Sequence, residues 1–210
     1  MRFCRTMGFE GFPRMRMAIA TDPSQRAEAT GTAGAAVGGG PRDVVERMAA
    51  HATAALAETA HLLDATALDE AARQIGAARR VEIYAVGNSA VVAQHMAIKL
   101  LRLGLHVAAP ADPHVGVMGA SLLGPGDVAV GISSSGSTLD VLRAVEAARG
   151  GGAAIVGVTN QTRCPLARIA GTMLVASAPE SPLTGGALAS KIGQMLIVDA
   201  LVALIAIRFP

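Results

Sequence analysis

Between Val81 and Ala176 the chain alternates short apolar runs with longer amphipathic segments, and that alternation restricts the folds open to it. The runs are Val81–Val86, His106–Ala109, Val128–Ile132, Ala153–Val158 and Thr172–Ala176. Continuous apolar runs of this length suit strands covered on both faces, as parallel strands are. The segments between them read as helices: Ala90–Leu103, His114–Leu123, Leu139–Arg149 and a short one near Leu166–Ala170. Two helices precede the first strand, Arg42–Leu63 and Leu68–Ala78, and a long apolar helix, Gly186–Ile207, closes the chain. The inner face of Ala90–Leu103 is expected to hold Val91, His95, Ile98 and Leu101 or Arg102. Strands separated by helices imply right-handed crossovers and a parallel sheet with helices on both faces. For five strands the expected order is 2-1-3-4-5, in which the first and third strands are neighbours whose connections leave to opposite faces. Ligands bind beyond the carboxyl ends of the strands at such a point.

Two polar turns fall at that edge. The third strand runs into Gly131-Ile-Ser-Ser-Ser-Gly-Ser-Thr138 and then directly into a helical pattern. A turn of this kind aims several backbone N–H groups one way, and the following helix adds partial positive charge. Ser133, Ser134, Ser135, Ser137 and Thr138 supply short hydroxyl donors, and Gly136 admits close approach of an anion. The loop has no lysine, so it is not a nucleotide P-loop. Ser135 stands where a nucleophile elbow needs its second glycine. The loop reads as a cradle for a small phosphate monoester. After the first strand comes Gly87-Asn88-Ser89, where Ser89 and Val92 occupy the glycine positions of a dinucleotide fingerprint and exclude it. Asn88 and Ser89 fit sugar hydroxyls or a phosphate oxygen instead.

Other chemistry is sparse. His51, His61, His95, His106 and His114 show no metal-ligand spacing, and Cys4 and Cys164 form neither a metal motif nor a disulfide framework. No metal or cofactor is expected, and the cysteine usage points to a reducing, cytoplasmic setting. Glu180 lies in a Pro- and Gly-rich loop after the fifth strand, where a carboxylate could move a proton between sugar carbons, cap the last helix or grip a hydroxyl. Lys99 and Arg102 read as interface or surface charges. A net charge of +2 is too small to argue for nucleic acid on its own. With 51% hydrophobic residues the membrane question arises, but the longest apolar stretch, Ile192–Ile207, is interrupted by Gln194 and Asp199 and falls short of a ~20-residue span. No membrane partner is expected.

The first twenty residues differ from the rest. Arg2, Arg5, Arg14 and Arg16 are interleaved with Phe3, Phe9 and Phe12, with Gly8, Gly11 and Pro13 as punctuation. The pattern predicts a helix ending near Met7, a turn, and a short helix after Pro13. Thr21–Pro41, rich in Gly, Ala, Thr and Ser, reads as a linker.

Taken together, Val-Gly-Asn-Ser-Ala at 86–90, Lys-Leu-Leu-Arg-Leu-Gly at 99–104, Gly-Asp-Val-Ala-Val-Gly-Ile-Ser-Ser-Ser-Gly-Ser-Thr at 126–138, Val-Thr-Asn at 158–160, Cys-Pro-Leu-Ala at 164–167 and Ser-Lys-Ile-Gly-Gln at 190–194 resemble the sugar isomerase (SIS) domain family. The resemblance spans nearly all of Arg42 to Ile207. It implies a three-layer αβα sandwich with a five-stranded parallel sheet in flavodoxin-like order, preceded by a helical N-terminal extension. Within the family the chain is most similar to the effector domain of RpiR-type transcriptional regulators, on the strength of Arg2-Phe-Cys-Arg-Thr-Met-Gly-Phe-Glu-Gly-Phe-Pro13. By that resemblance residues 1–20 are the remnant of a helix-turn-helix domain, 21–41 a linker and 42–210 a phosphosugar-binding SIS domain.

The resemblance further implies a cytoplasmic homodimer or homotetramer that binds a sugar phosphate and contacts DNA only through the full-length helix-turn-helix domain. Ser133, Ser135 and Thr138 would hold the phosphate, with Asn88 and Ser89 on the sugar side. Lys191 stands where these regulators commonly carry arginine. The rival is a sugar-phosphate isomerase of the aldose–ketose or 6-phospho-3-hexuloisomerase type, with Glu180 as its catalytic group. Such isomerases tend to place a histidine where this chain has Arg102, and a Phe-Glu pair where it has Ser-Ala-Pro-Glu180. Both departures favour sensing without turnover.

Overall fold

The computed structural model describes residues 40–177 and 188–209, together with Cys4, residues 6–11, Arg14, Met15 and Ala18. Helices α1 (Pro41–Leu62) and α2 (Ala65–Gly76) lead into β1 (Val81–Tyr84), α3 (Ser89–Arg102), β2 (Val107–Ala108), α4 (Pro113–Ala120), β3 (Val128–Ile132), α5 (Leu139–Gly150), β4 (Ala154–Thr159), β5 (Thr172–Val175) and α6 (Leu188–Arg208). A single 3₁₀ turn, Leu166–Arg168, joins the last two strands. The five strands form one sheet in the order β2-β1-β3-β4-β5, every neighbouring pair parallel. The expected order and the expected strands are therefore met, with strand boundaries shifted by at most two residues.

Each strand of the interior sends alternate side chains into two separate cores. Val81, Ile83, Val130, Ile132, Val156 and Leu174 pack under α2, α3 and α6. Tyr84, Ala129 and Ile155 face the other way, onto α4, α5 and Leu166. Because both faces are covered, apolar residues are required at both parities. That explains why the runs read as continuous rather than alternating.

Helix α3 packs with a face opposite to the one expected. Val91, Ile98 and Leu101 are 59%, 58% and 53% exposed, whereas Val92, Met96 and Leu100 are fully buried beside Ala93 and Ala97. The helix carries two apolar stripes, so periodicity alone leaves its rotation open. The stripe that contains Ala93 and Ala97 permits the closer approach to the sheet, and dense packing selects it. His95 and Lys99 are thereby turned toward α6, where both reach Asp199 Oδ1 at 2.7 Å. Burial acts to raise the Asp199 carboxyl, but the bonds from Lys99 and His95 outweigh it and hold it below its ordinary value.

On the α4 side of β1, Glu82 is buried and accepts a hydrogen bond from Tyr84 Oη at 2.6 Å, with Arg80 as its charged partner. Burial raises the Tyr84 phenol far above its usual range, so it remains a donor. Near the N-terminus, Cys4 and Thr6 are helical, Met7–Gly8 turn, and helical backbone returns at Arg14 and Met15, as the punctuation there predicts. Among the described residues no helix is long and apolar enough to cross a membrane.

Candidate functional site

The carboxyl ends of β1, β3 and β4 open onto one edge of the sheet. After β1 the chain turns at Gly87 and Asn88, and Ser89 begins α3 with its N–H on Val86 O at 3.3 Å. Ser89 is buried, while Asn88 is exposed on the turn.

After β3 the serine loop is tied down from below. Ser133 N–H donates to Val158 O at 3.0 Å, extending the sheet ladder by one residue. Ser134 O accepts from Asn160 N at 3.1 Å and from Thr159 Oγ1 at 3.2 Å. Gly136 takes a left-handed φ of +61°, and a Cβ there would overlap Cys164 Sγ. Its carbonyl accepts from Leu166 N at 2.9 Å. Glycine is therefore required for both the turn and the close contact. Ser133 is buried with its hydroxyl 2.8 Å from Thr138 Oγ1. Ser135 Oγ accepts from Ser137 N at 3.3 Å and Ser137 Oγ at 3.0 Å, and both of these serines are exposed. Thr138 occupies the N-cap position of α5 without a capping side-chain bond. The first-turn amides of α5 thus point past the loop with no hydroxyl from Thr138 upon them, an arrangement that suits an anion.

The two turns meet through α6. Lys191 Nζ donates to Ser89 Oγ at 2.8 Å, to Ser134 Oγ, and to Gln194 Oε1 at 3.2 Å. Gln194 is fully buried, and its Nε2 donates to Asn160 Oδ1 at 2.8 Å and to Ser134 Oγ at 3.4 Å. Asn160 Nδ2 in turn donates to Ala176 O at 3.0 Å. One ammonium thus spans the gap between the first and third strand exits. A crevice lined by hydroxyls, backbone amides and a cation has the makings of a phosphate-ester site. On the α4–α5 side of this edge a shallow solvent-open cleft is walled by Tyr84, Val86, Pro110, Asp112, Gly116 and Asp140.

Of the residues expected at the site, Ser89, Ser133, Ser134, Ser135, Ser137 and Thr138 come together at this edge, with Asn88 on its rim. Glu180 lies outside the described residues. His114 lies in the first turn of the short helix α4, its N–H held by Asp112 Oδ1 at 2.7 Å. Among the described residues no group of three or more His, Cys, Asp or Glu could hold a metal ion. Lys191, Gln194 and Asn160 were not among the expected site residues. They sit in Ser-Lys-Ile-Gly-Gln at 190–194 and Val-Thr-Asn at 158–160; for Lys191 and Gln194 the available signal was polar side chains at the start of an otherwise apolar helix, and for Asn160 a polar residue directly after the fourth strand.

Comparison with known proteins agrees with this architecture. Residues 74–204 match the SIS domain family. An uncharacterized HTH-type transcriptional regulator from Caldanaerobacter subterraneus is 32% identical over 206 residues, covering 98% of this chain and 73% of that protein. The HTH-type transcriptional regulator RpiR of Escherichia coli is 32% identical over 200 residues, covering 95% and 67% respectively. Among solved structures, NanR of Vibrio vulnificus, complexed with ManNAc-6P, superposes with a TM-score of 0.78 at 36% identity, covering 100% of this chain and 74% of that one. The sugar isomerase domain of an RpiR transcription factor from Sphaerobacter thermophilus gives 0.71 at 27% identity, covering 79% and 90%. The matched SIS region, and the extension of the likeness over almost the whole chain, place this protein in the SIS domain family and, within it, among the RpiR-type transcriptional regulators.

Proposed function

We propose that this chain senses a sugar phosphate in the crevice between Ser89 and the serine loop, and that occupancy controls DNA binding by a helix-turn-helix domain to which residues 1–20 belong. Residues 21–41 serve as the linker and 42–210 as the sensing domain. The observation that carries this reading is Lys191, whose ammonium reaches both Ser89 and Ser134. The ester's phosphate would sit against Ser135, Ser137 and the first-turn amides of α5, with Ser133 and Thr138 bracing the loop from within. The sugar would face Asn88 and Ser89, with Glu180 available to grip a hydroxyl. A similar protein complexed with ManNAc-6P supports an acylated amino-sugar or hexose phosphate as the ligand class.

The protein works without turnover in this reading, in the cytoplasm, and as a homodimer or homotetramer. Arg102 stands where isomerases of this fold tend to carry histidine, and a guanidinium is unsuited to shuttling a proton. The exposed stripe Val91, Ile98 and Leu101 supports self-association.

Thermal-shift titration with ManNAc-6P, hexose phosphates and pentose phosphates tests the proposal, because a ligand that binds only the folded chain raises its melting temperature, and the rise grows with the logarithm of ligand concentration over Kd. At least one ester should stabilise the chain well beyond inorganic phosphate and beyond the free sugar. Lys191→Met should weaken that ester by about tenfold or more, as expected for losing a hydrogen bond from a charged donor. Equal stabilisation by inorganic phosphate would reduce the crevice to a simple anion site. Conversion of the bound ester into its isomer would establish an enzyme instead.

A further inference from the structure

Helix α1 packs along α6 but buries few of its own side chains completely. Its buried residues are Ala55 and Thr59, whereas Val44, Val45, Leu56 and Leu62 are exposed. A threonine buried in a helix ordinarily returns its hydroxyl to a carbonyl of its own preceding turn. Thr59 instead reaches a residue 118 positions away in sequence. Its Oγ1 donates to Ser177 O at 3.0 Å and accepts from Ser177 N at 3.2 Å.

Ser177 follows Ala176, whose carbonyl holds the Asn160 amide and whose N–H donates to Thr159 O at 2.8 Å. Asn160 is bonded to Gln194, and Gln194 to Lys191 and Ser134. On its other side the same hydroxyl lies against Gly193, where an added Cβ would approach Thr59 Oγ1 to 2.7 Å. Gly193 is the residue between Ile192 and Gln194, in the turn of α6 that also carries Lys191. One hydroxyl is therefore lodged between the exit of β5 and the turn of α6 that bridges the crevice. A shift of Lys191 or Gln194 toward a bound ester moves the groups against which Thr59 rests.

We propose that Thr59 is the positioning residue that couples occupancy of the crevice to α1, the helix through which the chain enters the sensing domain. The proposal rests on the phosphosugar reading above. It assigns to α1 a ligand-dependent attachment: α1 packs along α6, and the Thr59 link ties that packing to the turn of α6 that bridges the crevice. Coupling of this kind is reciprocal, and a change at α1 alters crevice affinity by the same factor by which the ligand alters α1.

The test is hydrogen exchange on the full chain, with and without the tightest binder among ManNAc-6P, hexose phosphates and pentose phosphates, affinity being measured first by calorimetry. In the wild type the ester should slow exchange in the last two turns of α1 by about fivefold, the lower end of ordinary coupling. Thr59→Val keeps the shape and removes the hydroxyl; it should still bind the ester, but protection should no longer reach α1. Thr59→Ser should restore it, and Thr59→Ala replaces the valine variant if circular dichroism shows that variant unfolded. Undiminished protection of α1 in the hydroxyl-free variant overturns the proposal, and so does a wild type that binds an ester without any change in α1. Failure of every ester to bind the wild type would remove the functional reading and the coupling together, and calorimetry separates that case from a failure of Thr59 alone.

Discussion

Gly136 shows how little freedom the serine loop has. Its φ of +61° lies in the left-handed region, and the space where a Cβ would sit is filled by Cys164 Sγ, with Thr159 Oγ1 3.1 Å away. Gly136→Ala therefore meets both backbone strain and a steric clash, and we expect a loss of about 1–3 kcal/mol of stability, visible as a lower Tm. Cys164→Gly in the same chain, which removes both Sγ and the Cβ that would lie 2.6 Å away, should recover the steric part and leave the backbone part. Equal stability of the single variant and the wild type would mean that the loop relaxes at no cost. The glycine itself was legible in the sequence, because Gly-Ser-Thr after a run of serines marks a turn into a helix. Its neighbour was not: Cys164 lies 28 residues on, beyond β4, and no local pattern announces a contact across a strand.

At the scale of elements, the α3–α6 pairing is held on its outer side by Asp199 with His95 and Lys99. The carboxyl lies below its ordinary value in the folded protein. A depressed carboxyl contributes stability that is fully present above its unfolded value and disappears as pH falls through its folded one. The loss therefore belongs to the acid side, beginning near pH 4 and continuing below it. Urea unfolding followed between about pH 5 and pH 2 should show a shallower dependence on pH for Asp199→Asn than for the wild type. Parallel curves would show that the pair contributes nothing to folding. The same helix pair shows where periodicity fails. Val91, Ile98 and Leu101 repeat as regularly as Val92, Met96 and Leu100, and only the sheet, by accepting the stripe that includes Ala93 and Ala97, decides which set is buried.

For the molecule as a whole, the unburied stripe of α3 becomes the feature to explain. Val91, Ile98 and Leu101 are each more than half exposed in the single chain. Within the proposed homodimer or homotetramer that surface is where a second copy would gain most from excluding water. Ile98→Asp combined with Leu101→Asp should lower the mass in sedimentation analysis while leaving the far-ultraviolet circular dichroism unchanged, since neither side chain is in the core. An unchanged mass would move the interface elsewhere. The same experiment bears on regulation, because a sensor that spaces its DNA-reading domains through an interface loses that control as a monomer.

What the sequence determined by itself was the class and the edge. Alternating short apolar runs and helical segments leave few topologies other than a parallel sheet with crossovers on both faces. Two polar turns at the first and third strand ends then fall on one side of it. The family likeness was also carried by contiguous stretches such as residues 126–138. Tertiary structure alone decided the rest: which stripe of α3 is buried, that Lys191 on the last helix spans Ser89 and Ser134, and that Thr59 reaches Ser177. Each of these is a contact between residues far apart in the chain, chosen by packing and hydrogen-bond geometry. Spacing along a sequence records only the period of an element, and not the partner its side chains will meet.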